Sequence, residues 1–415
     1  MGVAETAAAT ISLPTPSHAV ATTKGQIAIQ TIASFFPYMN SWGVLNSFGV
    51  FEAYYAQHLI PSSSSSHLAW IGSMQAFLLF LVGVLMGPLL DAGYHREVLI
   101  GGTLLISFGM MMTSLCTKYW QLMLAQGIVV GLGYGFTFIP SIAILPQYVS
   151  AKSRGPLLGI VTTGSSVGGI VFPIMFHYIV PSAGFGWATR AIGFVVLGTN
   201  LPAALTLKNK IPPPPGRRQL IDFPMLKEKP YLVLICPYFF AVAALYIPIF
   251  FLQSYAQTTT DISRDLAQWT IPIVNAGSLP GRIIPNMLGA KFGELNAMVV
   301  VTACCSILAF CWIAVKSSTT GIILFALLYG FFSGGFVSLF PPVTITTAPN
   351  MSKLGTRMGM TMTMLACGVF LGSPVGGAIL EESNSYLGAQ LFTGAMLAVS
   401  VGLLLMRRIL FTVKQ

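Results

Sequence analysis

Arg282 is the only charged residue between Asp265 and Lys291, in a run of apolar and small residues interrupted by Pro280 and Pro285. Its guanidinium is a planar fork that stays charged and matches a carboxylate. The plainer alternative is an arginine bonded to the carbonyls that the two prolines leave without donors. Glu52 is the one acid in the run 29–57. It reads either as a solvated residue at the rim of that run or as a group that gates a substrate or carries a proton. Asn46 and Asn275 are amides in apolar runs, and a buried amide needs a partner. That partner is either another helix or a ligand. His177, toward the end of its run, reads as a packed polar residue. Cys116, Cys236, Cys304, Cys305, Cys311 and Cys367 lie within or at the ends of apolar runs, with no C-x-x-C and no Cys/His cluster. They read as small buried hydrophobes, so no metal, disulfide framework or cofactor is expected. Gly131-Leu-Gly-Tyr-Gly135 lacks the Lys-Ser/Thr of a phosphate loop. No His/Asp/Ser set at helical spacing suggests an enzyme.

The elements that must position these residues follow from composition. Of 415 residues 54% are apolar and 8% charged, against about 25% charged in a soluble domain. A soluble protein of this size cannot cover its surface that way. Disorder is excluded by 28 Phe and 14 Tyr, which would not stay solvated. A polytopic membrane protein remains, with the lipid bilayer as its surroundings. A spanning helix needs about 20 mostly apolar residues. The runs are 29–57, 68–90, 97–116, 119–148, 156–180, 187–207, 231–255, 266–289, 295–315, 319–347, 356–379 and 386–411. The stretch 1–27 has no basic start followed by an apolar core, so it is not a signal peptide.

The net charge of +10 comes with no basic run or nucleic-acid motif, so no nucleic acid is expected. Lys118, Arg190, Arg264 and Lys316 sort to one side, and every other Lys and Arg except Arg282 to the side of the N-terminus. Positive loops face the cytoplasm, which puts both termini there, with the plasma membrane as the expected location. Four consecutive prolines, Pro212 to Pro215, stand in the longest polar stretch. The expected fold class is an all-α membrane protein, with twelve transmembrane helices in two six-helix bundles. Its parts are an N-terminal tail 1–28, a bundle 29–207, a cytoplasmic loop 208–230, a bundle 231–411 and a tail 412–415.

The halves resemble each other. Gly131 and Gly135 lead to Pro140, and Gly330 and Gly334 lead to Pro341. Lys152 and Arg154 precede Gly159, and Lys353 and Arg357 precede Gly359. Glycines then cluster at Gly164/Gly168 and at Gly368/Gly372/Gly376. Small residues at this spacing let helix backbones approach closely, and parallel repeats of this kind are a transporter architecture.

Several stretches resemble the major facilitator superfamily, and within it the fungal branch of the monocarboxylate porters. They are Asn40-Ser-Trp-Gly-Val-Leu-Asn-Ser-Phe-Gly-Val-Phe-Glu-Ala-Tyr-Tyr55, Trp70-Ile-Gly-Ser-Met-Gln-Ala-Phe77, Tyr119-Trp-Gln-Leu-Met-Leu-Ala-Gln-Gly127, Gly164-Ser-Ser-Val-Gly-Gly169, Asn275-Ala-Gly-Ser with Gly281-Arg282, and Leu354-Gly-Thr-Arg-Met-Gly359. The resemblance implies a secondary active transporter with alternating access, moving a small organic acid or related metabolite. It implies an anionic substrate, with efflux of a fungal secondary metabolite as the alternative; proton coupling is left open, because the family's proton-linked lysine and aspartate are absent here and only the arginine matches. A non-transporting membrane sensor would be a different class; it usually needs a long signalling tail. By resemblance Arg282 binds the substrate anion, Tyr134, Tyr238 and Tyr246 line the cavity or pack between helices, and Asp91, Arg96 and Arg154 form an inner charge latch. Three departures stand out. Lys24-Gly-Gln-Ile replaces an acidic-Gly-Gly-Trp start, Asn46 stands where animal porters carry lysine, and Ser278 stands where they carry aspartate.

Asn350-Met-Ser352 is the one N-glycosylation sequon in the chain, in a loop assigned to the cytoplasm. Expression in a glycosylating host should leave Asn350 bare. A glycosidase-sensitive gel shift that Asn350→Gln abolishes would invert the orientation.

Overall fold

The computed structural model describes residues 23–149, 151–210, 224, 227–259, 262–316, 318–345 and 354–411, and these hold helices and turns with no strand. With no water to satisfy backbone groups inside a bilayer, each span must close its own hydrogen bonds. We number the spans α1 (24–59), α2 (Ser65–Asp91), α3 (His95–Thr113), α4 (Tyr119–Gln147), α5 (151–183), α6 (185–206), α7 (Lys229–Thr259), α8 (Thr270–Phe292), α9 (Glu294–Val315), α10 (Thr319–Ile345), α11 (Leu354–Ser383) and α12 (Tyr386–Phe411).

Among the described residues, nine stretches are long and apolar enough to cross a membrane. The longest, Leu157–Thr206, is two spans parted at Gly184, whose φ of 82° suits glycine. α1 and α8 fall outside the nine. They carry the amides, the serines and Arg282, and polarity is the reason. α1 also begins before the expected residue 29. Thr23 accepts from the Gln26 amide while the Gln26 side chain accepts from Thr23 N–H, a capping box that fixes the start at Lys24. At its far end the helix continues through a wider π-helical turn, Tyr55–Leu59.

The two halves repeat the same contacts. α5 lies against α1 where a Cβ on Gly168 would sit 2.6 Å from Met39 O, and one on Gly164 2.9 Å from Phe35 O. In the second half Gly372 meets Ala243 O, and Gly368 approaches Phe239 O to 2.7 Å. The sequence offset between the halves is the same for all four pairs. Ser107 Oγ donates to Gly193 O at 3.1 Å between α3 and α6, and Ser306 Oγ donates to Gly394 O at 2.9 Å between α9 and α12. Likewise α2 packs on α4 through Gly131 and Gly135, as α8 packs on α10 through Gly330 and Gly334.

Among the described residues, three helix pairs make most of the contact between the halves. α2 meets α11, with Ser66 Oγ donating to Pro374 O at 3.0 Å and the Trp70 and Phe370 rings 4.8 Å apart. α5 meets α8 at Gly169, which packs on the Asn275 amide. α1 meets α7 near the α1–α2 end of the molecule. There the Phe48 and Phe250 rings are 5.1 Å apart, and a Cβ on Gly49 would stand 2.8 Å from Ile249 O.

Gly168→Val should drive a branched side chain into the α1 backbone and destabilise the protein by about 1–3 kcal/mol. Gly159, with nothing near its Cβ position, should accept alanine without loss. Thermal unfolding of both variants in detergent checks the pair. Equal unfolding temperatures would remove the close-approach role of Gly168.

Candidate functional site

The junction between the halves carries the polar residues. Arg282 projects from α8 between Pro280 and Pro285 and is 4% exposed. Its Nε donates to Ser166 Oγ on α5 at 3.3 Å, while Nη1 has no hydrogen-bond partner. The carbonyls that the prolines free are not its partners. The Tyr38 and Tyr246 hydroxyls, on α1 and α7, lie within electrostatic reach of the guanidinium. Among the described residues no carboxylate pairs with it. A buried charge left without a counter-charge costs several kcal/mol.

Next to the arginine, Asn46 Nδ2 donates to Asn275 Oδ1 at 3.4 Å across the junction, and Asn275 Nδ2 donates to Ile271 O at 3.0 Å. Asn46, Tyr246, Asn275, Ser278, Arg282 and Ser333 line one pocket, with Ile249, Val274 and Val337 as apolar walls. It has room for about 20 Å³, enough for one water. As it stands the pocket is too small for a metabolite.

The structure brings Arg282, Asn46, Asn275 and Tyr246 together in this pocket and places two other expected residues elsewhere. Tyr134 is fully buried within the first half, its hydroxyl unbonded. Tyr238 is buried within the second half, its hydroxyl donating to Phe340 O at 3.3 Å and its ring edge-on to Phe336. Glu52 is 2% exposed, with Oε2 unbonded, so it is buried and not a solvated rim residue. Arg96 is exposed and donates to Leu205 O at 3.4 Å, at the end of α6. The side chains of Asp91 and Arg154 lie outside the described residues, as does Asn350. His177 Nδ1 is hydrogen-bonded to Gln268 Oε1.

Sequence reasoning missed Tyr38 and Ser166. Tyr38 had a usable signal, because it stands two steps of four before Asn46 on one helix face. Ser166 had none. Serines in these helices mostly bond their own backbone, as Ser41 does to Pro37 O and Ser47 to Gly43 O.

Comparison with known proteins places the whole arrangement. The Major Facilitator Superfamily description matches residues 27–349 and 234–412. The MFS-type transporter dbaD of Emericella nidulans is 38% identical over 356 residues, covering 86% of this chain and 80% of that protein. The aspyridones efflux protein apdF of the same organism is 37% identical, covering 86% and 72%. The crystal structure of the nucleoside transporter NupG superposes with a TM-score of 0.69 at 16% identity, covering 94% of this chain and all of that one, which speaks for the fold alone. With two matched helical halves and a polar pocket at their junction, this chain belongs to the major facilitator superfamily and is a multi-pass membrane transporter.

Proposed function

We propose that the protein is a secondary active exporter of a small anionic metabolite, working by alternating access around Arg282. The observation that carries this reading is a guanidinium 4% exposed with one nitrogen unbonded and no described acid beside it. A bound carboxylate or similarly acidic group would complete its hydrogen bonds and offset its buried charge. Import of a small organic acid, expected from the monocarboxylate-porter branch, would use the same residues. The relatives turn the reading toward efflux, because one of them carries the name of an aspyridones efflux protein. Direction itself follows from the substrate and ion gradients.

The remaining assignments belong to the same proposal. The termini face the cytoplasm of a plasma-membrane protein, so the α1–α2 end is the outer end. It is the end where Phe48 and Gly49 close on α7. Asp91, Arg96 and Arg154 form the inner latch. Glu52, a buried carboxyl with an unbonded oxygen, is the proton-carrying group.

Purified protein in proteoliposomes tests the site with a matched aromatic acid and its methyl ester. Arg282→Gln should lower acid flux about tenfold or more, the loss of a charge-assisted bond, and spare the ester. Arg282→Lys should fall between, keeping the charge without the fork. Wild-type acid flux in Arg282→Gln would make the arginine structural. Under an imposed pH gradient, Glu52→Gln should abolish uphill accumulation while keeping substrate exchange. Uphill transport that survives in this variant would remove Glu52 from coupling.

A further inference from the structure

A second cavity, of about 230 Å³, lies at the α1–α2 end of the junction, and the pocket around Arg282 does not account for it. Its polar lining is Gln57 and His58 from α1, His177 from α5, Gln253 and Gln257 from α7, and Gln268 from the short helix before α8. Two hydrogen bonds cross between the halves here, Gln57 Nε2 to Gln257 Oε1 and His177 Nδ1 to Gln268 Oε1. Gln253 is 3% exposed, lines the cavity, and leaves its Oε1 unbonded. Tyr54 and Phe176 supply an aromatic wall, their rings 5.7 Å apart. None of the described lining residues is Asp, Glu, Lys or Arg.

Position ties this cavity to the central one. Ile249 lines the pocket around Arg282, and Gln253, four residues on, lines the outer cavity. Asn46 and Val50 stand in the same relation on α1. Four residues are one helical turn, about 6 Å of rise. The two cavities are therefore successive stations along the same faces of α1 and α7.

We propose that the outer cavity is a second binding site, taking a neutral ring compound that carries hydroxyl, carbonyl or amide groups. In the transport cycle this is the part of the substrate that Arg282 does not hold, so the physiological role rests on the reading above. The chemistry follows from the lining. Primary amides offer a donor and an acceptor each, and an imidazole adds one of either. A ligand with the same groups replaces the Gln57–Gln257 and His177–Gln268 bonds one for one and satisfies Gln253. Occupancy thereby loosens the two side-chain ties that hold the halves together at this end.

The site can be tested without any transport measurement. Trp269 stands with its ring 6.1 Å from that of His177, so its fluorescence reports occupancy. The full chain in lipid nanodiscs is titrated with 4-nitrobenzamide, a neutral aromatic amide that quenches tryptophan. Saturable quenching is expected, most of it lost in Trp269→Phe. Gln253→Met keeps the size and removes the amide; it should raise the half-saturating concentration about fivefold, the loss of one hydrogen bond. Excess acetate, an anion without a ring, should not displace the amide. A second measurement uses the wild type alone: 4-nitrobenzamide should protect His58 and His177 from carbethoxylation over the same concentration range. Non-saturable quenching, an unchanged midpoint in Gln253→Met, displacement by acetate, or histidines that stay reactive would each overturn the site. These readouts stand apart from acid flux, so a functional Arg282 with no outer binding and outer binding with an inert Arg282 are separate outcomes.

Discussion

Helices in a bilayer gain little from burying apolar surface, because the lipid is as apolar as they are. What holds this protein together is close backbone approach, and the glycine faces make it available. α5 reaches the carbonyls of α1 through Gly164 and Gly168, and α11 reaches those of α7 through Gly368 and Gly372. Larger side chains at these places would push the helices apart and remove the packing attraction that takes the place of the hydrophobic effect. The tight pairs then fix the axial positions of α1 and α7, and so set which residues of each half face the junction.

That placement makes the few polar residues matter. Arg282 is buried, and among the described residues no carboxylate pairs with it. Buried charges are normally matched, and an unmatched one is costly. Around Arg282 the supporting groups are neutral: the Ser166 hydroxyl, two tyrosines and the Asn46–Asn275 amide pair. They orient the guanidinium without neutralising it. The proposal of an anionic substrate rests on this open charge.

The fold was largely legible in the sequence because its signals are one-dimensional. Apolar run length, loop charge and the repeated glycine spacing need no knowledge of which way a side chain faces. Arg282, Asn46 and Asn275 were legible for the same reason, as polar types that an apolar run does not otherwise hold. Facing was not legible. Tyr134 and Tyr238 sit in runs that are apolar all round, so no periodicity separates a face toward the junction from one toward the half's own core. Glu52 misled through the end of its helix. The π-helical turn Tyr55–Leu59 carries the helix only two residues past the expected 57, and the burial of Glu52 comes from packing that a one-dimensional run does not show. The outer cavity was invisible for a different reason: its glutamines and histidines fall at the ends of runs, where polar residues are ordinary.

The Gln57–Gln257 tie has a consequence beyond closure. An amide–amide bond joins two neutral dipoles, so dissolved ions scarcely screen it and proton activity in the range of living cells leaves both partners unchanged. Opposite charges in the same place would weaken as ionic strength rises, since screening acts over about 8 Å at physiological salt. The Gln57–Gln257 contact therefore keeps nearly the same strength while the composition of the adjoining solution changes.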